Sequence, residues 1–300
     1  MDTRAEQRLL QRSIFVTILV GAAGVGAGWL LNASASMFDG IYSLIDVLLT
    51  MGSLTVSRLV ASQGSRRFQF GYWHLEPLME TVGGAILATA CIYAGMDAVE
   101  GLLRGGHTLE FGTAIAWAAV LGIVGFGMSS LMRRQARKLG SRLLAMDSRS
   151  WMVSGMLSFA LLAGFGCAIA MEGTQFAPWI PLVDPAVLLV VSMLTLPVPL
   201  LGTVRAFREI LQLSPDVLDR KVRAVMNAIV EKYGFLEYSS HVQAMGRMQF
   251  IEIHLLVPPT LSFGPVSKAD EVRNEIAAQL GVDLSTTWLT IDFTADRDWL

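Results

Sequence analysis

Four stretches of this chain run for about 20 residues without a charged side chain: Ser13 to Leu31, Phe111 to Met132, Ser150 to Met171 and Pro185 to Val204. That is the length an α-helix needs to cross a hydrocarbon core roughly 30 Å thick. In hydrocarbon every backbone N–H and C=O must be satisfied internally, which leaves a bundle of helices as the natural solution for runs of this kind. Two further runs, 35 to 57 and 77 to 103, are as long but carry acids: Asp39 and Asp46 in the first, Glu80, Asp97 and Glu100 in the second. Six crossings are therefore predicted, at about 13–31, 35–57, 77–103, 111–132, 150–171 and 185–204. Their separators are short, so sequential helices should run antiparallel. Composition agrees: 53% of the 300 residues are hydrophobic and 16% charged, too few solvating side chains for an ordinary soluble protein. The formal net charge of -2 argues against a nucleic-acid binder, which would normally carry a basic stripe. Cys91 and Cys167 fall in apolar segments and read as small hydrophobes, with no disulfide framework or CxxC metal motif. The first apolar run is long enough to span and lacks a small-residue cleavage signature, so no cleavable signal is expected.

Lys and Arg set the expected orientation. Arg4, Arg8 and Arg12 precede span one; Arg58, Arg66 and Arg67 follow span two; Arg133, Arg134, Arg137, Lys138, Arg142 and Arg149 lie between spans four and five, while the opposite loops hold Arg104 alone. Both termini are thus expected in the cytoplasm, residues 1–12 as a short tail, with the inner (plasma) membrane as the location. Trp29, Trp73, Trp117, Trp151 and Trp179 fall near span ends, as interfacial indoles should. The basic segment 133–144 reads as an amphipathic cytoplasmic connector or as a plain topology signal.

After Phe207 the composition changes: residues 208–300 hold 13 acids against nine Lys and Arg and contain no spanning run. The periodicities predict a helix over 215–233, strands near 236–245 and 247–257, a helix over 267–280 and a strand near 286–293. In the second strand Phe250, Glu252 and His254 face one way and Ile251, Ile253 and Leu255 the other, so one face can pack on helices. The fold class is accordingly a six-helix transmembrane bundle (13–207) followed by a small cytoplasmic α+β domain (208–300).

The second span keeps two carboxylates and a phenol. Asp39, Tyr42 and Asp46 stand at i, i+3 and i+7, so they share one helical stripe. A lone intramembrane carboxylate is costly unless it faces a polar cavity, a partner or a cation. Asp39, near the outer end of its span, also reads as merely interfacial; Asp46 is deeper. Span five repeats the spacing with Asp147, Ser150 and Ser154. Because it runs opposite to span two, Ser150 can stand level with Asp46 and Ser154 with Tyr42, giving a set of oxygen ligands. Each serine taken alone can equally bond its own helix. Asp147 can also be a helix cap or a salt-bridge partner of Arg149 or Arg142.

At this point the chain resembles the cation diffusion facilitators, which export divalent metal ions in exchange for protons. The resemblance covers nearly the whole length: six spans, the "YSLID" stripe (42–46) where that family has YxxxD or DxxxD, "FGYWHLEP" (70–77) where it has FGxxxxE, Asp184-Pro185 opening span six, "SPD" (214–216) opening the terminal domain and "FIEIHL" (250–255) in its second strand. Two departures stand out. Ser150 and Ser154 occupy the positions of HxxxD or DxxxD in span five, and Tyr72 stands where many relatives have the signature's first histidine. The resemblance implies a transport site of Asp39, Tyr42, Asp46, Ser150 and Ser154, with Asp147 as a way-station. The second metal site, in the loop between spans two and three, would be incomplete; His74 and Glu76 remain near it, with interfacial packing and capping as their alternative role. The terminal domain would be a ferredoxin-like αββαβ unit that pairs two subunits into a homodimer. His241, His254 and Asp292 would fall at or near zinc positions between those subunits, although surface histidines are also common.

An all-oxygen transport site suits Mn, Mg or Fe better than Zn, which favours nitrogen and sulfur; a monovalent ion is left open. Burial disfavours a charged carboxylate and a nearby cation restores it, so proton and metal compete for the same oxygens. Alternating access would then let an inward proton gradient drive the metal ion outward. No tightly bound cofactor is expected. The alternative is a transport-silent partner subunit or metal sensor. A membrane enzyme is disfavoured, since HExxH, GxSxG and Walker A patterns are absent.

Overall fold

The structure is a computed structural model and describes residues 3–30, 34–62, 66–106, 113–261, 264–283 and 286–300. Within them the side chains of 3, 24, 25, 27–30, 34–45, 113, 114, 117, 161, 165 and 184 lie outside the description, so Asp39 and Tyr42 are placed on their helix by backbone alone. The chain divides into two units, Met1–Ala206 and Phe207–Leu300.

The apolar runs of the first unit form helices that extend past the runs themselves: α1 (Thr3–Leu30), α2 (Ser34–Ala61), α3 (Leu75–Leu103), α4 (Thr113–Leu139), α5 (Arg142–Met171), α6 (Ile180–Thr195) and α7 (Pro197–Ile210). The basic segment is not a separate connector. Residues 133–139 prolong α4, whose end is set by Gly140 at φ 61, and α5 starts directly afterwards. Ser141 caps that start by accepting from Leu144 N–H at 3.2 Å. Between α6 and α7 the ladder is interrupted because Pro197 brings no N–H. Among the described residues three segments are long and apolar enough to cross a membrane: Leu75–Leu103, Arg142–Met171 and Ala177–Ile210. Phe15, Leu19, Leu48, Ile123, Met193 and Leu194 all lie exposed on the helices. Faces of that kind belong against lipid tails rather than water.

Within the bundle α1 packs along α2, α4 along α5, and α6 against both α3 and α5. Small residues permit the closest approaches. A Cβ on Gly125 would lie 2.9 Å from both Gly155 Cα and N, and one on Gly84 would lie 2.3 Å from Thr203 Oγ1. Beside the Gly125–Gly155 crossing, Ser129 Oγ donates to Ser148 O at 2.9 Å and Ser148 Oγ to Ser129 O at 3.0 Å. These bonds tie α4 to α5 where no hydrophobic force can, as packing in lipid requires. Helix α2 touches α5 as well, which brings the two polar stripes together.

The second unit runs α8 (Asp216–Tyr233), β1 (Glu237–Met245), β2 (Met248–Leu256), α9 (Val266–Leu280) and β3 (Thr287–Thr294), each within a residue or two of its predicted bounds. Strand β2 is central, antiparallel to β1 and parallel to β3. Its Ile251, Ile253 and Leu255 are fully buried against Val222, Met226 and Ile229 of α8 and Val272, Ile276 and Leu280 of α9. Each such side chain contributes about 1.5–3 kcal/mol of hydrophobic stabilisation. Both helices stop at a glycine in the left-handed region, Gly234 at φ 65 and Gly281 at φ 58.

Candidate cation site

On α2, Asp46, Thr50, Ser53 and Ser57 follow one another at i, i+4, i+7 and i+11, a continuous polar stripe on an otherwise apolar helix. Thr50, Ser53 and Ser57 are buried and Asp46 is half-buried. The stripe meets α5. Ser150 of α5 stands close enough to the Asp46 carboxylate to act on it, so the level pairing expected from antiparallel helices is present. One turn further, Thr50 Oγ1 lies 3.1 Å from Asp147 Oδ1 and 2.9 Å from the Asp46 carbonyl. A hydroxyl has one proton, so Asp147 Oδ1 shares it with the backbone. Asp147 Oδ2 is buried and, among the described residues, accepts no hydrogen bond. The Asp46 and Asp147 carboxylates lie close enough to act on each other electrostatically, and Ser13 of α1 stands at the Asp147 carboxylate. Ser13 Oγ accepts in turn from Trp151 Nε1 at 2.8 Å.

Two carboxylates and several hydroxyls therefore face inward from α1, α2 and α5, with acceptor capacity to spare. Such a set can hold a hard cation through oxygen alone. Among the described residues no three of His, Cys, Asp and Glu form a group that could hold a metal ion, so within that set hydroxyls are the further oxygen ligands beside the two carboxylates. Ser154, expected level with Tyr42, is exposed, and its carbonyl accepts from Ser158 Oγ at 3.0 Å. Asp39 and Tyr42 share α2 with Asp46, but their side chains lie outside the described residues.

Asp147 is neither cap nor arginine partner. Ser141 caps α5, and the two arginines converge instead on Glu80 of α3: Arg142 Nε and Nη2 reach Oε2 at 3.0 and 2.7 Å, and Arg149 Nη1 reaches Oε1 at 2.9 Å. The Glu80 side chain is only 7% exposed, so this is a largely desolvated triad joining α3 to α5. His74 stacks on Phe68, ring centroids 5.7 Å apart, and precedes α3 without a side-chain cap bond, which makes it a packing residue. Glu76 beside it is fully buried.

Sequence reasoning missed Glu6. It is 2% exposed near the start of α1 and accepts from Ser57 Oγ at 2.5 Å. The available signal was spacing: Glu6, Ser13 and Thr17 stand at i, i+7 and i+11, a polar stripe on α1 that answers the one on α2.

In the second unit, the sheet register sets His254 between Ser239 and Asp292, and His241 opposite Glu252. His241 and His254 rings lie 6.3 Å apart, and His254 Nδ1 is 3.6 Å from Asp292 Oδ2. His254 thus neighbours both His241 and Asp292 on the sheet face away from the core, but the three do not converge as one set of metal ligands.

Residues 10–211 match the family model described as the cation efflux transmembrane domain. A probable cation efflux system protein of Mycobacterium tuberculosis, matched in two strains, is 25% identical over 229 residues, covering 75% of this chain and 65% of the relative. An uncharacterised transporter of Methanocaldococcus jannaschii is 25% identical over 165 residues, covering 54% of this chain and 57% of the relative. The chain thus spans less than two thirds of the length of these relatives.

Proposed function

The chain belongs to the cation efflux family and is an integral membrane protein, and from that premise we propose that it exports a divalent metal cation in exchange for protons. The observation that carries this reading is the inward-facing oxygen cluster in which Thr50 bonds Asp147 and Ser150 stands beside Asp46 between two apolar helices. Carboxylates in hydrocarbon need a cation, a proton or a water-filled path, and this pair has hydroxyl partners rather than arginines. The cargo would be bound by Asp46 with Asp39, Tyr42, Ser150 and Ser154. Asp147 would act as a way-station towards the basic end of the bundle. An oxygen-only set favours Mn, Mg or Fe over Zn.

Transport follows from competition. A proton and a cation each neutralise the Asp46 carboxylate, and either neutral state permits the bundle to rock between inward-open and outward-open arrangements. An inward proton gradient then loads protons from outside and metal from inside. Six crossings with both termini in the cytoplasm, and a homodimer paired through the second unit, complete the proposal. The asymmetry of Lys and Arg along the chain supports that orientation.

The test is direct: purified protein in proteoliposomes, a panel of Mn, Fe, Mg and Zn applied with an imposed pH gradient, and metal uptake read beside proton flux. Metal-dependent proton movement that Asp46→Asn removes supports the exchange; metal uptake with no proton counter-flow overturns it. One observation favours a second reading. Hydroxyls stand where the resemblance expects HxxxD or DxxxD in span five, while His254 has His241 and Asp292 as neighbours on the sheet face away from the core. A transport-silent partner subunit or metal sensor would bind metal at that face and show no flux.

A further inference from the structure

A groove of about 440 Å³ opens between α1 and α4 at the basic end of the bundle. Its lining combines two chemistries: Arg8 and Arg12 of α1, and the apolar Phe15 of α1 with Met128 and Leu131 of α4. On α1 the two are ordered along the helix. Arg8, Arg12, Phe15 and Leu19 stand at i, i+4, i+7 and i+11, so one stripe passes from cationic to apolar in the direction of the membrane interior. Phe15 and Leu19 are both exposed. Arg8 Nε bonds its own helix, at Arg4 O 3.3 Å away, and among the described residues neither Arg8 nor Arg12 forms an ion pair. Two unpaired guanidinium groups therefore stand above an open apolar floor.

We propose that this groove seats an anionic glycerophospholipid, its phosphate between Arg8 and Arg12 and its acyl chains over Phe15, Met128 and Leu131. Guanidinium forks match phosphate oxygens, and basic recesses between membrane helices hold acidic headgroups. The apolar half selects a lipid over a soluble anion or an acidic peptide. Phe15 falls in the uncharged run Ser13 to Leu31 and Met128 and Leu131 in the uncharged run Phe111 to Met132, the lengths a membrane crossing needs, where acyl chains reach and a water-soluble ligand does not. The inference rests on the chain being an integral membrane protein and is independent of what it transports.

Native mass spectrometry of the full chain, purified in detergent and titrated with phosphatidylglycerol or phosphatidylcholine, tests it. Phosphatidylglycerol is expected to be retained preferentially. Arg8→Gln with Arg12→Gln should lower its affinity roughly 30-fold, from the contribution of two interfacial arginines. Arg133→Gln with Arg137→Gln removes the same charge from a different face of α4 and should change little. Leu131→Trp fills the groove with both arginines intact and should also weaken retention, which guards against a purely electrostatic explanation. The site is overturned if the Arg8/Arg12 variant keeps its preference, if the control pair loses as much, if Leu131→Trp has no effect, or if inorganic phosphate alone displaces the lipid.

Discussion

The nearness of Asp46 and Ser150 is legible in the sequence, because i, i+3, i+7 spacing on two antiparallel helices leaves few other alignments. Thr50 was not. A threonine in an apolar helix usually bonds its own carbonyl four residues back, as this one does at the Asp46 carbonyl, so its second contact with Asp147 carries no sequence signature. Glu6 was hidden for a different reason: an acid among arginines near a chain start reads as solvated, whereas here it is buried on Ser57. At this scale Asp46→Asn should abolish transport with the helices intact, a larger loss than the roughly 10–100-fold typical of residues that only support a ligand. Thr50→Val keeps shape and removes the hydroxyl from Asp147, and should fall within that range. Both are read as initial uptake rates in proteoliposomes, with circular dichroism reporting the fold; full activity in either variant removes its assigned role. Ser150→His with Ser154→Asp restores nitrogen and a carboxylate to span five and should move preference towards Zn in a competition assay.

Elements were more legible in the second unit than in the first. Alternation in β2, the i, i+4, i+7 spacing of Val222, Met226, Ile229 and the i, i+4, i+8 spacing of Val272, Ile276, Leu280 tie the predicted boundaries to one core. In the bundle, hydropathy marks where a helix must be apolar and says little about how far it continues into water, so α4 and α5 run through the basic segment that reads as a connector. Pairing between helices was also invisible, since glycine and serine contacts have no period that hydropathy detects. Two consequences are measurable by thermal unfolding in detergent. Gly125→Val puts a branched side chain against Gly155 backbone and should destabilise markedly, whereas Gly127→Ala, with nothing within 4 Å of the added Cβ, should be near neutral. Glu80→Gln leaves Arg142 and Arg149 without their shared carboxylate. Breaking a fully buried pair costs about 3–5 kcal/mol; with the arginine side chains 23% and 29% exposed, solvent screening reduces the expected loss to about 2 kcal/mol. A melting temperature unchanged by Glu80→Gln would show that the triad does not hold α3 to α5.

At the scale of the molecule, the division at Phe207 gives the second unit a core of its own, and residues 207–300 should fold when produced alone. Lys232, and then Tyr233, hydrogen-bond Glu275 and hold its carboxylate below the ordinary value of 4.5. A lowered carboxylate favours the folded state above the unfolded value and loses that contribution as pH falls through the folded one. Denaturant midpoints of the isolated unit should therefore decline below about pH 4.5, and Glu275→Gln should flatten the decline. The same isolated unit separates the two functional readings. If the chain is an exporter, flux depends on Asp46 and persists when His241 and His254 are replaced by alanine, because the carboxylates that bind the cargo lie in the bundle. If it is a sensor or partner subunit, calorimetry on residues 207–300 should find metal binding that His254→Ala weakens, while the intact chain in proteoliposomes moves no ion whatever the state of Asp46. The measurements diverge because hydrocarbon makes the Asp46 site useful only to an ion that crosses, whereas a sheet face open to water can bind an ion that never does.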